Sequence, residues 1–167
     1  MTDVKEVSVS LDNTLVVEKA ESTLYIDGEV HNAALKKDGT VVMWGNNDYG
    51  QCDLPKGLGK VKKVSVGRYH TVELKEDGTV IVWGYNIYGQ CDVPEGLKNV
   101  KYISTGDSHS VAVDNEGNIV AWGWGNEGEC TIPKGLMGVT SVTAGGRSTM
   151  FLKYDGTLIG GNIVPGQ

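Results

Sequence analysis

Short apolar runs separated by Asp-Gly and Pro-x-Gly corners recur along this chain. In VKKVSVG (61–67), HTVELK (70–75) and TVIVWG (79–84), β-branched and aromatic residues dominate, which predicts strands rather than helices. Asp77-Gly78, between the last two runs, predicts a tight hairpin whose two central residues both take positive φ. The same corner stands at Asp38-Gly39 and Asp155-Gly156, and as Glu116-Gly117. The motif Tyr-Gly-Gln-Cys-Asp-x-Pro-x-Gly-Leu at 49–58 and 88–97 predicts a short outer strand or loop, ended by residues that cannot continue a ladder. Each unit therefore reads as three or four short antiparallel strands. Runs such as TVIVW are apolar at successive positions, so both faces of each small sheet must be covered; a sheet with one wet face would alternate.

The units repeat at a fixed interval. His31, His70 and His109 are 39 residues apart, as are Cys52, Cys91 and Cys130, and Trp44, Trp83 and Trp122. Residues 28–58 and 67–97 are identical at 19 of 31 positions without a gap, 106–136 continue the series, and a shortened fourth copy starts at Gly145. A period of this length marks a repeat architecture, and about four antiparallel strands per unit favours propeller blades over solenoid coils. The expected fold is all-β, a β-propeller-like array of about four blades. The expected organisation is a degenerate N-terminal strand segment (1–20), repeats at 21–58, 59–97, 98–136 and 137–160, and a tail at 161–167. Residues 4–18 resemble 61–75 but lie 57 rather than 39 residues upstream, so they read as a stray half unit. Val7, Val9, Leu15 and Val17 at one end, and Met150, Leu152, Leu158 and Ile159 at the other, are apolar where terminal repeats are usually polar caps. That predicts a homodimer, or another homo-oligomer, in which two chains join end to end into a ring. A monomer would instead need residues 4–18 to fold back as a cap.

Gly-x-x-His-(Thr/Ser)-x-x-Leu, Asp-Gly-Thr-Val, Trp-Gly-x-Asn-x-Tyr-Gly-Gln and Pro-x-Gly-Leu together closely resemble the repeats of the regulator of chromosome condensation family, over about residues 22–160. The short spacing and the Gln-Cys-Asp-x-Pro ending look most like its bacterial and phage branch, which includes a propeller inhibitor of β-lactamase. The resemblance implies a propeller; members that close a ring in one chain carry about seven repeats.

Composition narrows the function. Fifteen Lys and Arg against 21 Asp and Glu give a net charge of -6, with the basic residues scattered, so nucleic acid is not an expected partner. No stretch approaches a membrane span and the start has no signal-peptide pattern, so a cytoplasmic protein or virion component is expected. Three Cys at equivalent places do not make a disulfide framework, and their acidic or neutral neighbours would not activate a thiolate. They read as small buried hydrophobes. The three His lack metal-ligand spacing and read as scaffold groups, hydrogen-bonded to the backbone of a neighbouring turn. Trp44, Trp83 and Trp122 read as side chains wedged between blades. Ser65, Ser104 and Thr143 read as cross-strand hydrogen-bonding residues rather than as a hydrolase channel. No cofactor, metal or catalytic set is expected.

Variation between copies marks two places where the scaffold stays fixed and the side chains change. The first, after the leading Gly, holds Glu29-Val30, Arg68-Tyr69, Asp107-Ser108 and Gly146-Arg147. The second, after Trp-Gly, holds Asn46 and Asp48, Tyr85 and Ile87, Trp124 and Asn126. Loops on a rigid scaffold carry recognition, and Tyr, Trp and Arg are the types enriched at binding hot spots. Arg68, Tyr69, Tyr85, Ile87, Asp107, Trp124 and Arg147 are therefore the candidate partner-binding residues. The expected function is a non-catalytic module binding a protein partner through blade loops; the alternative is a self-assembling structural component of a phage or bacterial particle.

Overall fold

A computed structural model describes residues 4–9 and 30–161. Four three-stranded antiparallel sheets follow one another, in the order β1-β2-β3 (Val4–Val9, His31–Lys36, Val41–Gly45), β4-β5-β6 (Val61–Val66, His70–Lys75, Val80–Gly84), β7-β8-β9 (Val100–Thr105, His109–Asp114, Ile119–Gly123) and β10-β11-β12 (Val139–Gly145, Ser148–Lys153, Leu158–Gly160). The fold is all-β and propeller-like, with four blades. Among the described residues no helix is long and apolar enough to cross a membrane.

Each blade has three strands, at the low end of the expected range, because the Tyr-Gly-Gln-Cys-Asp motif forms turns. Its own side chains satisfy the backbone that a ladder would otherwise use. In blade 1 the Tyr49 N–H donates to Gln51 Oε1 at 2.9 Å, and the Cys52 N–H donates to Asn47 Oδ1 at 2.8 Å. Asn47 Nδ2 in turn donates to Asp53 Oδ1 at 2.8 Å. Blade 2 repeats all three bonds through Gln90, Asn86 and Asp92.

The Asp-Gly corners are hairpins, as the dipeptide predicts, but of another type. Only the glycines have positive φ, at 85°, 83°, 87° and 82° for Gly39, Gly78, Gly117 and Gly156. Gly39 N donates to the Lys36 carbonyl at 3.0 Å, and Lys36 N to the Thr40 carbonyl at 2.8 Å. This is a turn followed by one left-handed glycine, the bulged three-residue hairpin loop, in which Asp38 keeps an ordinary backbone. Asp38 Oδ1 instead accepts from the N–H and hydroxyl of Thr40, at 2.9 and 2.7 Å, and is held below the usual carboxylate range by those bonds.

Residues 4–9, set apart in sequence as a degenerate segment, are the inner strand of blade 1. Val7 pairs with Ala34 and Val9 with Asn32, the register by which Val64 and Val66 pair with Glu73 and Thr71 in blade 2. The remainder of the proposed half unit, residues 10–18, lies outside the described residues, as do Glu29, Leu15 and Val17. The same register shift interrupts all four inner strands, at Val4/Glu6, Val61/Lys63, Val100/Tyr102 and Val139/Ser141. A repeated bulge of this kind strengthens local twist.

The cores lie between blades. Ala33 and Leu35 of blade 1 cluster with Val61, Val64 and Val66 of blade 2. Val72 and Leu74 cluster with Val100, Ile103 and Ala112, and Val111 and Val113 with Val142, Ala144 and Phe151. The middle strands of blades 1–3 are therefore buried on both faces although polar residues interrupt them, whereas β6, from the apolar run TVIVW, is buried at Val80 and half-buried beyond it. Blade 4 differs: in β11 Thr149 and Phe151 are buried while Met150 and Leu152 are 40% and 37% exposed.

Candidate functional site

The repeated histidines join one blade to the next. His31 Nε2 lies 2.8 Å from Thr71 Oγ1, His70 Nε2 3.1 Å from Ser110 Oγ, and His109 Nε2 3.0 Å from Thr149 Oγ1. Each hydroxyl donates to a backbone carbonyl of the preceding blade, of Gln51, Gln90 and Glu129, at 3.0, 3.1 and 2.8 Å. A hydroxyl has one proton, and here it is spent on the carbonyl, so the imidazole Nε2–H donates. The expectation of a ring bonded to backbone is thus corrected: the partner of Nε2 is a side chain on the following blade. Burial pushes His31 down to about 4 and His70 to about 3, and also lowers His109, so the rings stay neutral.

Gly-x-x-His follows from the same packing. A Cβ on Gly67 would lie 2.4 Å from His70 Cε1 and 2.6 Å from the Gly106 carbonyl; one on Gly106 would lie 2.1 Å from His109 Cε1. In blade 4, where Ser148 replaces the His, nothing lies within 4 Å of the Cβ position of Gly145. The tryptophans complete the joint, since Trp83 and Trp122 Nε1 donate to the carbonyls of Gln51 and Gln90, both at 3.0 Å. Trp44 Nε1 is buried without a partner.

The remaining repeated groups are also structural. Ser65 Oγ lies 2.9 Å from Thr105 Oγ1, and Ser104 Oγ accepts from the Ala144 N–H at 2.9 Å. These bonds link inner strands of successive blades rather than strands within one sheet. The cysteines are half-buried and free, each thiol 3.3 Å from the carbonyl of residue 46, 85 or 124. Burial and the neighbouring carboxylates push Cys91 and Cys130 up to about 11, which leaves them poor nucleophiles. Among the described residues no group of three or more His, Cys, Asp or Glu is placed to hold a metal.

Above this scaffold the variable loops gather into one open cleft of about 260 Å³. Six of the seven candidate residues line it: Arg68, Tyr69, Tyr85, Asp107, Trp124 and Arg147. Ile87 does not; it stands 68% exposed outside the cleft. Backbone bonds from Arg68 N to the Asp107 carbonyl and from Asp107 N to the Gly146 carbonyl, 3.4 and 2.9 Å, hold the loops of blades 2, 3 and 4 together. Tyr49, Tyr88, Glu127 and Glu129 also line the cleft. Sequence comparison hides Tyr49 and Tyr88 because they belong to the repeated motif. Glu129 had a readable signal, since Tyr-Gly-Gln-Cys becomes Glu-Gly-Glu-Cys in the third copy.

The aromatic side chains form a continuous row. Tyr49 lies between Tyr69 and Tyr85, with ring centroids 5.3 and 4.6 Å away; Tyr85 meets Tyr88 at 6.2 Å, and Tyr88 meets Trp124 at 4.5 Å. Arg68 stands over Tyr69, 5.2 Å from the ring centroid, and Arg147 pairs with Glu127 at 3.1 Å. Rings packed edge to face or tilted, with Tyr49 and Tyr88 exposed, offer large, rigid contact area at small entropic cost.

The model of the regulator of chromosome condensation (RCC1) repeat matches residues 28–51, 61–90 and 100–129, one segment in each of blades 1–3. Similar solved structures include Prp20p of Saccharomyces cerevisiae (20% identity, TM-score 0.66, 78% of this chain and 42% of that one). The receptor kinase CR4 ectodomain of Physcomitrella patens is 25% identical, with a TM-score of 0.66 over 81% of this chain and 38% of its own. Human WBSCR16 is 20% identical, with a TM-score of 0.67 over 78% and 44%. The chain thus spans well under half the length of these three structures, and the likeness shows the fold. No curated protein matches it in sequence. With the repeat model covering half of its residues, blade by blade, the chain belongs to the regulator of chromosome condensation (RCC1) repeat family.

Proposed function

We propose that this chain is a non-catalytic module that binds a protein partner across the loop face of blades 1–4. The observation that carries this reading is the cleft in which the non-repeated side chains meet the aromatic row. The scaffold groups beneath it are neutral histidines spent on joining blades and protonated thiols bonded within their own loops. One protein of the same fold, Prp20p (yeast RCC1), is described with protein partners in two structures, one naming Gsp1p and histones and the other with Kap60 bound.

Panning a random peptide display library on the immobilised chain tests the reading. Selected clones should bind the native chain and lose binding to the Tyr85→Ala, Trp124→Ala double variant. Clones that bind both equally would remove the loop face from the function.

Association of copies is a second feature of the reading, supported by the open face of blade 4. Met150, Leu152 and Leu158 are 40%, 37% and 63% exposed, whereas Val72, Leu74, Val111 and Val113 in blades 2 and 3 are at most 1% exposed. The proposed occupant is a second copy of this chain, because the corresponding faces of blades 1–3 each receive the inner strand of a like blade. Light scattering should give a dimer mass that Met150→Lys reduces to a monomer; a native monomer at all concentrations would exclude it.

A further inference from the structure

Glu129 places a carboxylate where blades 1 and 2 have a glutamine. There the side chains of Gln51 and Gln90 cap a turn, each accepting through Oε1 from the N–H two residues earlier, at 2.9 and 3.0 Å. Gln51 also uses its amide, donating from Nε2 to Asn46 Oδ1 at 2.6 Å. Glu129 makes the capping bond with Oε2, 3.0 Å from the Glu127 N–H. Its other oxygen, Oε1, occupies the role of the amide nitrogen and has no partner, in a residue only 1% exposed. Gln90, in a blade where Tyr85 replaces Asn46, also leaves its Nε2 buried without a partner, so blades 2 and 3 both lack the Asn46 contact, and only blade 3 places an acceptor there. An unsatisfied buried oxygen of this kind calls for a specific explanation.

The surroundings supply one. Glu129 lines the cleft, and so does Asp107, whose Oδ1 is also buried and unpartnered. Tyr85, Tyr88 and Trp124 line the same cleft, with Trp124 at the position that Asn46 fills in blade 1. The cations nearest the cleft are engaged on other groups, Arg68 over Tyr69 and Arg147 on Glu127. Aromatic rings and unpaired carboxyl oxygens lining one cleft suit an organic cation, which gains from the ring quadrupoles and donates hydrogen bonds to the acids. The net charge of -6 favours the approach of such a partner.

We propose that the cleft between Trp124 and Glu129 receives a cationic side chain, arginine or lysine, of the partner protein. This rests on the loop-face reading above and names the chemistry that the face selects. Glu129 Oε1 and Asp107 Oδ1 accept its N–H groups, and Tyr85, Tyr88 and Trp124 flank its alkyl stem and charge.

The probe is an acetylated, amidated Gly-Gly-Arg-Gly-Gly peptide, with citrulline in place of arginine as the uncharged control. Both are titrated into the full chain and followed by the indole N–H resonance of Trp124 in nuclear magnetic resonance spectra. The arginine peptide should shift that resonance saturably and bind about tenfold more tightly than the citrulline peptide, the scale of one partly desolvated cation–aromatic contact. Glu129→Gln should weaken the arginine peptide several-fold and leave the citrulline peptide unchanged. That variant restores the residue found at Gln51 and Gln90, so it should fold, and an unchanged thermal transition checks this. Equal binding of the two peptides, or unaltered binding to Glu129→Gln, would overturn the proposal. If the display clones still depend on Tyr85 and Trp124 in that case, the loop-face reading survives and only the cationic chemistry falls.

Discussion

The joints between blades and the loops above them follow opposite rules. At the 1/2 and 2/3 joints the same four groups recur, a histidine, a hydroxyl, a glutamine carbonyl and a tryptophan, at distances that agree within 0.3 Å. A few ångströms away, position 46 of blade 1 becomes Tyr85 and Trp124, and position 68 becomes Asp107 and Gly146. Asn46 is bonded to its own loop, whereas Tyr85 and Trp124 turn to a shared cleft. The joints and the cleft are thus built by different residues of one repeat, so each can be altered with little effect on the other.

The largest expected effect comes from breaking a joint by volume. Gly67→Ala drives a methyl group into the His70 ring and the Gly106 carbonyl, and should cost about 3 kcal/mol or more in denaturant unfolding. The equivalent change at Gly145, where no atom lies within 4 Å, should cost about 1 kcal/mol or less.

Acid should break all the joints together. The histidines are lowered in the folded state, so the unfolded chain, at about 6.5, binds protons first, and stability falls as pH drops from 6.5 towards 4. Glu73 opposes this. Burial without a partner for either oxygen raises it to about 7, so its contribution is lost as pH rises from 4.5 through 7. Three rings outweigh one carboxyl, and the net result should be acid destabilisation; Glu73→Gln should steepen it and remove the loss near pH 7. A thermal transition flat between pH 7 and 4.5 would contradict the assignment of neutral rings.

A smaller effect separates two tryptophans of equal sequence standing. Trp83→Phe removes a 3.0 Å bond to the Gln51 carbonyl and should cost about 1 kcal/mol, while Trp44→Phe, whose nitrogen has no partner, should cost less. Equal costs in chemical denaturation would mean that the indole bond contributes nothing to the joint. Least of all, Arg147→Ala removes an exposed ion pair with Glu127 and should change stability by about 0.5 kcal/mol or less.

Much of the fold was legible because its causes are local. Apolar runs such as TVIVW announce strands, though the strands covered on both faces are the middle ones, and Asp-Gly announces corners. Gly67 and His70 announce each other because the ring lies over the glycine. What stayed hidden depends on distance or on one dihedral angle. The pairing of Val9 with Asn32 spans 22 intervening residues, and the hydroxyl that each histidine meets is 40 residues ahead. The kind of hairpin turned on whether Asp38 shares the positive φ of Gly39. The cleft was found through variation between copies, which selected six of its residues but could not register Tyr49 and Tyr88, since invariance across blades looks the same for a core residue and for a shared contact. Ile87 shows the converse failure, a variable position that faces solvent alone.

The direction of the joint carries an evolutionary corollary. Blades 2 and 3 each bring a ring that reaches forward and a hydroxyl that answers backward, whereas blade 1 has Asn32 in place of the hydroxyl and blade 4 has Ser148 in place of the ring. Duplication or deletion of a whole inner 39-residue module therefore leaves its junctions chemically complete, and copy number can drift by recombination within the gene.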